Sequence, residues 1–306
     1  MNWETGGSEI ESRSRQFVAA KSRRSAFSLV ELLVVISVIA LLMAIVVPTL
    51  GKAKRKARAM LGMNNQKQIV AALNLFALDN DDRYPQSVAT VGFGSRWNWS
   101  DPTKLTGNKA RSYELCRSVG EYLNSYIPDA DTVYCPSAPR KYKYLQESWD
   151  AGDDWDNPDT SFPSDPVGGT YCFFWNYTGF LGGRRVTFEG PAAPAAGRAH
   201  SKLLVADYFG YDHWRAPGAY SSCENFKGAD ITPETWLLSA NWSRPADANL
   251  PIPQVNLKAG YIDGHVETYS TSDAVPIQVS ITADGTTPYP EDVGPGIFYL
   301  PPSALH

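Results

Sequence analysis

Long apolar runs are nearly absent from this 306-residue chain; there is one, at Phe27–Val47. A polytopic membrane protein needs several, so that class is excluded. Cysteine and histidine are scarce, with four of each, and no two cysteines stand as CxxC. Zinc ribbons and thioredoxin-like redox sites need that spacing. HExxH, the P-loop and GxGxxG are missing as well, which removes zincin, phosphate-cradle and dinucleotide readings. Ser95, in Gly92-Phe93-Gly94-Ser95-Arg96, does not complete a GxSxG elbow. An excess of positive charge is lacking too: the net charge is −4, so no nucleic-acid partner is expected. With no catalytic constellation and no cofactor motif, the chain reads as a non-enzyme without cofactors.

What is present is one span with a charge inside it. From Phe27 to Val47 there are 21 residues, of which 15 are Leu, Ile, Val or Phe. Glu31 lies near its start, and Arg13, Arg15, Lys21, Arg23 and Arg24 precede it. The run has the length of a membrane-crossing helix. Each large apolar residue at the bilayer centre contributes about −0.3 to −0.6 kcal/mol, against up to about +3.5 for an acid. Insertion is therefore favoured, more so because Glu31 is near an end. The run is too long for a signal-peptide core, which has about 7–15 residues. A plain anchor has no use for the acid.

The stretch Arg23-Arg24-Ser25-Ala26-Phe27-Ser28-Leu29-Val30-Glu31-Leu32-Leu33-Val34-Val35-Ile36 resembles the prepilin signal of type IV pilins and type II secretion pseudopilins. The resemblance implies cleavage between Ala26 and Phe27 by a prepilin peptidase, and N-methylation of Phe27. It implies that Glu31, the fifth mature residue, is kept in the membrane to serve assembly with other pilin or pseudopilin subunits. There the carboxylate can pair with the new N-terminal ammonium, since unpaired charges in hydrocarbon are costly. Pro48 falls where the family commonly places a helix-bending proline. The residue before the cut is usually Gly, and here it is Ala26.

Four regions follow: a leader over 1–26, a transmembrane segment over 27–48, an exterior amphipathic helix over 49–80 and a β-rich extracytoplasmic domain over 81–306. Basic residues flank the span on both sides, with Lys52, Lys54, Arg55, Lys56 and Arg58 after it, so charge counting leaves the orientation open. The resemblance places the N-terminus in the cytoplasm, a single pass through the inner membrane and its lipid, and the bulk outside. Ile69, Leu73 and Phe76 form a helical stripe, and Ala53, Ala57 and Met60 a similar one before it. Pro48, Gly51 and Gly62 are candidate bends. Asn80-Asp81-Asp82 and Pro85 are stop signals.

In the exterior part, strands are expected at Thr132–Cys135, Tyr171–Tyr177, Leu203–Phe209, Trp236–Ala240 and Val255–Ile262, and a helix around Ser112–Leu123. Asp263-Gly264 is a hairpin signal between Tyr261-Ile262 and His265–Tyr269. Loops are expected at Ser148–Pro166 and Glu189–Gly197. Tyr134-Cys135-Pro136-Ser137, Leu203–Asp207 and Tyr261–Val266 are similar to pieces of a pseudopilin-like group with a C-terminal H-X9-DG motif. The DG is Asp263-Gly264, while Pro253 occupies the His position. The expected fold is α+β and pilin-like. The resemblance implies a long N-terminal helix packed on an antiparallel sheet.

The remaining candidates are thinner. Cys116, Cys135, Cys172 and Cys223 allow a disulfide in an exterior domain, with the pairing open. Asp150, Asp153, Asp154 and Asp156 crowd one loop that offers oxygen ligands to calcium, yet they do not follow DxDxDG, and a solvated acidic loop is the expectation. His265 and Glu267 alternate along one strand, too few for a metal site. Trp97-Asn98-Trp99 and Phe173-Phe174-Trp175 either stack a sugar or fill the core. Two functions follow: a structural subunit of a secretion pseudopilus or type IV pilus-like filament, or a singly anchored extracytoplasmic binder of a glycan or other ligand.

Overall fold

The computed structural model describes residues 28–93, 97–100, 102–106, 117–136, 143–152, 167–181, 187–195, 201–211, 256–278, 280–282 and 297–305. The chain divides into two compact units, Met1–Leu50 and Gly51–His306. One helix, α1 (Leu29–Asp79), belongs to both.

The first part of α1 is a run of Leu, Ile, Val and Ala with every described side chain exposed. It is long and apolar enough to cross a membrane. Its few hydroxyls are satisfied within the helix. Ser37 Oγ donates to Val34 O at 2.8 Å, and Thr49 Oγ1 lies 2.8 Å from Val46 O and 3.2 Å from Ile45 O. A lipid interior demands this, because it offers polar groups no water. Pro48 brings no N–H to the helical ladder, yet the helix runs on through Pro48, Gly51 and Gly62, so none of these candidate bends ends it.

In the second unit α1 buries Gly62, Asn65, Gln66, Ile69, Val70, Ala72, Leu73 and Ala77. The Ile69–Leu73–Phe76 stripe is therefore real, with Phe76 partly buried. The Ala53–Ala57–Met60 stripe is not: all three are exposed. Helical spacing marks a possible face, and only a partner surface makes it a core. The helix ends as its stop signals direct. Asn80 Nδ2 donates to Phe76 O at 2.8 Å, and Asp82 N to Ala77 O at 2.9 Å. Asp81 and Asp82 take positive φ of 52° and 56°, the left-handed region that short polar side chains tolerate.

Twelve described strands make three antiparallel sheets. The central one is β3 (Tyr171–Phe173), β6 (Leu203–Asp207), β8 (Asn256–Tyr261) and β9 (Val266–Ser270), adjacent in that order. One face carries Tyr171, Phe173 and Val205 into a cluster with Ile69, Val70 and Leu73 of α1. The other carries Cys172, Ala206, Leu257 and Ala259 into a second cluster with Ile277, Phe298 and Leu300. Those last residues belong to a five-stranded sheet ordered β5 (Thr187–Glu189), β4 (Thr178–Leu181), β10 (Val275–Gln278), β12 (Ile297–Leu300) and β7 (Gly210–Tyr211). A third sheet joins β1 (Thr90–Phe93), β2 (Trp97–Ser100) and β11 (Ser280–Thr282). The fold is α+β, with a long N-terminal helix and antiparallel sheets, as expected for a pilin-like chain.

Gly260 lets helix and sheet approach. A Cβ there would stand 3.0 Å from Val205 Cγ1 and 3.1 Å from Val70 Cγ2. Short polar links add to the contact: Asn65 Nδ2 donates to Tyr134 O at 3.2 Å, and Asn74 Nδ2 to Ile262 O at 3.0 Å.

Several expectations are corrected. Thr132–Cys135 is not a strand, because Ala130–Val133 forms a 3-10 turn. Asp129 caps it, its side chain accepting from Asp131 N at 3.0 Å, and this local bond prevails over the β preference of Thr and Val. Tyr171–Tyr177 is strand only to Phe173; the chain then turns, with Asn176 at φ 47° and Tyr177 N donating to Phe174 O at 3.2 Å. The helix expected over Ser112–Leu123 is described only as α2 (Val119–Leu123), started by the Ser118 cap. Within the expected loop Ser148–Pro166, the first residues end α3 (Leu145–Ala151), whose buried Leu145, Ser148 and Trp149 share one face. The strand expected at Leu203–Phe209 runs over Leu203–Asp207, the one expected at Val255–Ile262 is described over Asn256–Tyr261, and the following hairpin forms as expected. Gly264, at φ 87°, supplies the left-handed residue of that turn. Trp236–Ala240 lies outside the described residues.

Candidate functional site

The first turn of α1 is the site that the sequence marks most strongly. Ser28 precedes the helix, and its Oγ accepts from Val30 N at 3.3 Å. Glu31 reaches back, and its Oε2 accepts from Ser28 N at 2.9 Å. The arrangement is a variant of the Ser-x-x-Glu capping box, in which Glu31 reaches back to Ser28 while Ser28 takes the amide of Val30 rather than that of Glu31; it satisfies two amides that the helix itself leaves without acceptors. A carboxylate beside a helix N-terminus also opposes the positive end of the helix dipole. The acid in the span thus has a local partner set within one turn. Sequence reasoning saw the acid and missed the box, although Ser28-Leu29-Val30-Glu31 spells it.

Ala26 and Phe27, where cleavage is expected, lie outside the described residues. Ser28 is the residue immediately after Phe27, so Glu31 occupies the turn that begins next to the expected mature N-terminus.

The thinner candidates separate. Asp150 is exposed on α3, its Oδ1 accepting from Gln146 Nε2 at 2.8 Å. Asp153, Asp154 and Asp156 lie outside the described residues. Among the described residues no group of three or more His, Cys, Asp or Glu side chains could hold a metal ion. Cys135 and Cys172 are buried thiols in different core clusters and do not bridge one another. Cys116 and Cys223 lie outside the described residues. Phe173, Phe174 and Trp175 are buried and so serve the core. Of Trp97-Asn98-Trp99, the backbone forms strand β2.

His265 and Glu267 are engaged separately. The His265 ring pairs with Asp263 Oδ1 and stacks on Tyr261 with centroids 4.5 Å apart. Glu267 accepts from the hydroxyls of Tyr261 and Ser303. Burial pushes the Tyr261 phenol upward, and the hydrogen bond to Glu267 adds to it. Burial also raises the Asp263 carboxyl, but the hydrogen bonds from His265 outweigh it and leave the group below its usual range. The arrangement fixes a hairpin and a C-terminal turn; it holds no nucleophile–base pair.

Comparison with known proteins bears on the first turn of α1. No curated protein and no solved structure matches the chain. Residues 21–47 match a family model described as the prokaryotic N-terminal methylation motif, so the chain carries the prepilin-type N-terminal signal of type IV pilin-like proteins.

Proposed function

We propose that this chain is a structural pilin-like subunit. A prepilin peptidase cuts it between Ala26 and Phe27, Phe27 is N-methylated, and α1 assembles with other pilin or pseudopilin subunits. The product is a type II secretion pseudopilus or a type IV pilus-like filament. Before assembly the subunit sits in the inner membrane by a single pass, leader in the cytoplasm and residues 81–306 outside. The carrying observation is that the one acid of the exposed apolar run opening α1 stands in its first turn, inside the matched motif. Cleavage leaves an ammonium on Phe27, one residue before the cap. The Glu31 carboxylate is then the nearest acid in sequence that can neutralise it, in its own chain or in a neighbour.

The Asp263-Gly264 hairpin turn supports placing the exterior part in the pseudopilin-like H-X9-DG group, with Pro253 as the departure. The buried Phe173–Trp175 cluster removes one of the two aromatic surfaces that an anchored glycan binder would use.

Glu31→Gln tests the reading. Gln keeps the capping-box geometry and removes the charge. The variant should insert normally and be lost from filaments by tenfold or more, the factor that corresponds to about 1.4 kcal/mol. Normal incorporation of Glu31→Gln into filaments would contradict a charge-pairing role.

A further inference from the structure

Between α1 and the central sheet lies a pair of charged residues that the filament reading does not use. Asp207 on β6 and Lys258 on β8 are cross-strand neighbours, one step beyond the paired Ala206 and Ala259. Their side chains are 0% and 2% exposed, and Lys258 Nζ stands 3.9 Å from Asp207 Oδ2. Among the described residues that Nζ finds no hydrogen-bond partner. A buried ammonium in that state is costly, and a pair that meets only through a long contact does not repay the loss of water. The carboxyl, by contrast, is held tightly. Gln66 Nε2 donates to Oδ1 at 2.9 Å, and Lys258 N donates to Oδ2 at 3.1 Å.

We propose that Asp207 and Lys258 are the reactive pair of an intramolecular amide cross-link joining β6 to β8. One proton moves from Nζ to the carboxylate, which removes both buried charges. The Nζ lone pair then attacks Cγ and a C–N bond forms. Oδ2 leaves with two hydrogens as water, and one hydrogen stays on the new amide nitrogen. Oδ1 becomes the amide oxygen. Charge that develops on Oδ1 during attack meets the Gln66 amide, a donor already in place at 2.9 Å. Gln66 is thus a positioning residue, supplied by α1 only once helix and sheet have docked. Reacting atoms need to approach to about 3–3.5 Å, so the Lys258 side chain has to swing from its 3.9 Å contact with Oδ2 onto Cγ. Exclusion of water from the site protects the product from hydrolysis.

The proposal does not depend on filament assembly and is tested on the full chain purified in detergent. Lys258 is the last lysine or arginine in the sequence, so trypsin normally releases a C-terminal peptide beginning at Ala259. The cross-linked protein should resist cleavage there. Its digest should contain the segment after Lys202, with Asp207, joined to the segment bearing Lys258, lighter than their sum by one water. Asp207→Ala should restore cleavage after Lys258. Gln66→Leu should slow appearance of the linked peptide after refolding by tenfold or more while leaving circular dichroism unchanged. A wild-type digest in which Lys258 is cut normally and the Asp207 peptide has its full mass overturns the proposal, and that measurement requires no variant to fold.

Discussion

At the scale of single residues, the consequential positions are those where chemistry and space leave one solution. Gly190 is the sharpest. A Cβ built there would lie 1.5 Å from Phe174 O, a backbone atom that cannot swing aside. Gly190 N meanwhile donates to Tyr177 O at 2.9 Å, so the residue is pinned against the turn that follows β3. Gly190→Ala should therefore destabilise the folded chain by at least about 2 kcal/mol, read as a lowered denaturant midpoint. An unchanged midpoint would mean that the 174–177 turn can give way. Glu31 is constrained differently, by charge rather than space. The spacing Ser28–Glu31 is a pattern of residue types that the sequence alone could have shown as a capping box, although only the acid was noticed there. The Gln66–Asp207–Lys258 cluster was not legible. It joins three residues from distant parts of the chain, and no local spacing announces it.

At the scale of elements, α1 has two characters. Before Leu50 all its described side chains are exposed, and after Gly62 one face is core. Within the second part, Leu73 is fully buried and Leu78 is 70% exposed. Leu73→Ala should cost about 2–5 kcal/mol of folding stability. Leu78→Ala should stay within about 0.5 kcal/mol of wild type. Urea titrations of both variants in detergent check the contrast; equal effects would refute the assigned face. The end of α1 is held by rings as well as caps. Phe76 packs edge-on to Tyr122 at 5.8 Å, and the Tyr126 hydroxyl donates to Asp79 Oδ2 at 2.7 Å. The long helix was readable from the unbroken apolar run of its first part and the Ile69–Leu73–Phe76 stripe of its second. The short elements were not, for two reasons. Thr132-Val133-Tyr134 has β-forming side chains, but the Asp129 cap bends the backbone into a 3-10 turn. Ser148–Ala151 looks like loop by composition, but Trp149 is buried with its Nε1 donating to Ile127 O at 2.7 Å, which anchors a helical turn there.

At the scale of the whole molecule, the unit from Gly51 onward is rich in buried tyrosine, and this sets its alkaline limit. Burial, with a smaller push from Glu121, raises the Tyr122 phenol to about 12 from an ordinary value of 10.0. Burial raises Tyr84, Tyr261 and Tyr299 further. For each, the neutral phenol is favoured in the fold. Their contribution to stability is complete below the unfolded value of 10.0 and is lost as pH rises towards the folded value, about 12 for Tyr122. Thermal midpoints should therefore show no tyrosine-linked decline up to about pH 10 and fall steeply above it. Phenolate absorbance that rises in the folded protein at about pH 10, with no steep loss of thermal stability there, would show that these rings are not buried.

Under the proposed function the span is a processed assembly helix and not a simple anchor. That distinction turns on the N-terminus of the mature chain. Intact-mass and N-terminal peptide mass spectrometry of the membrane-extracted protein from its native cells measures this directly. The expected chain begins at Phe27 with one added methyl group on its amine. A chain that retains Met1 and residues 1–26, with an unmethylated Phe27 inside it, would contradict the proposed function.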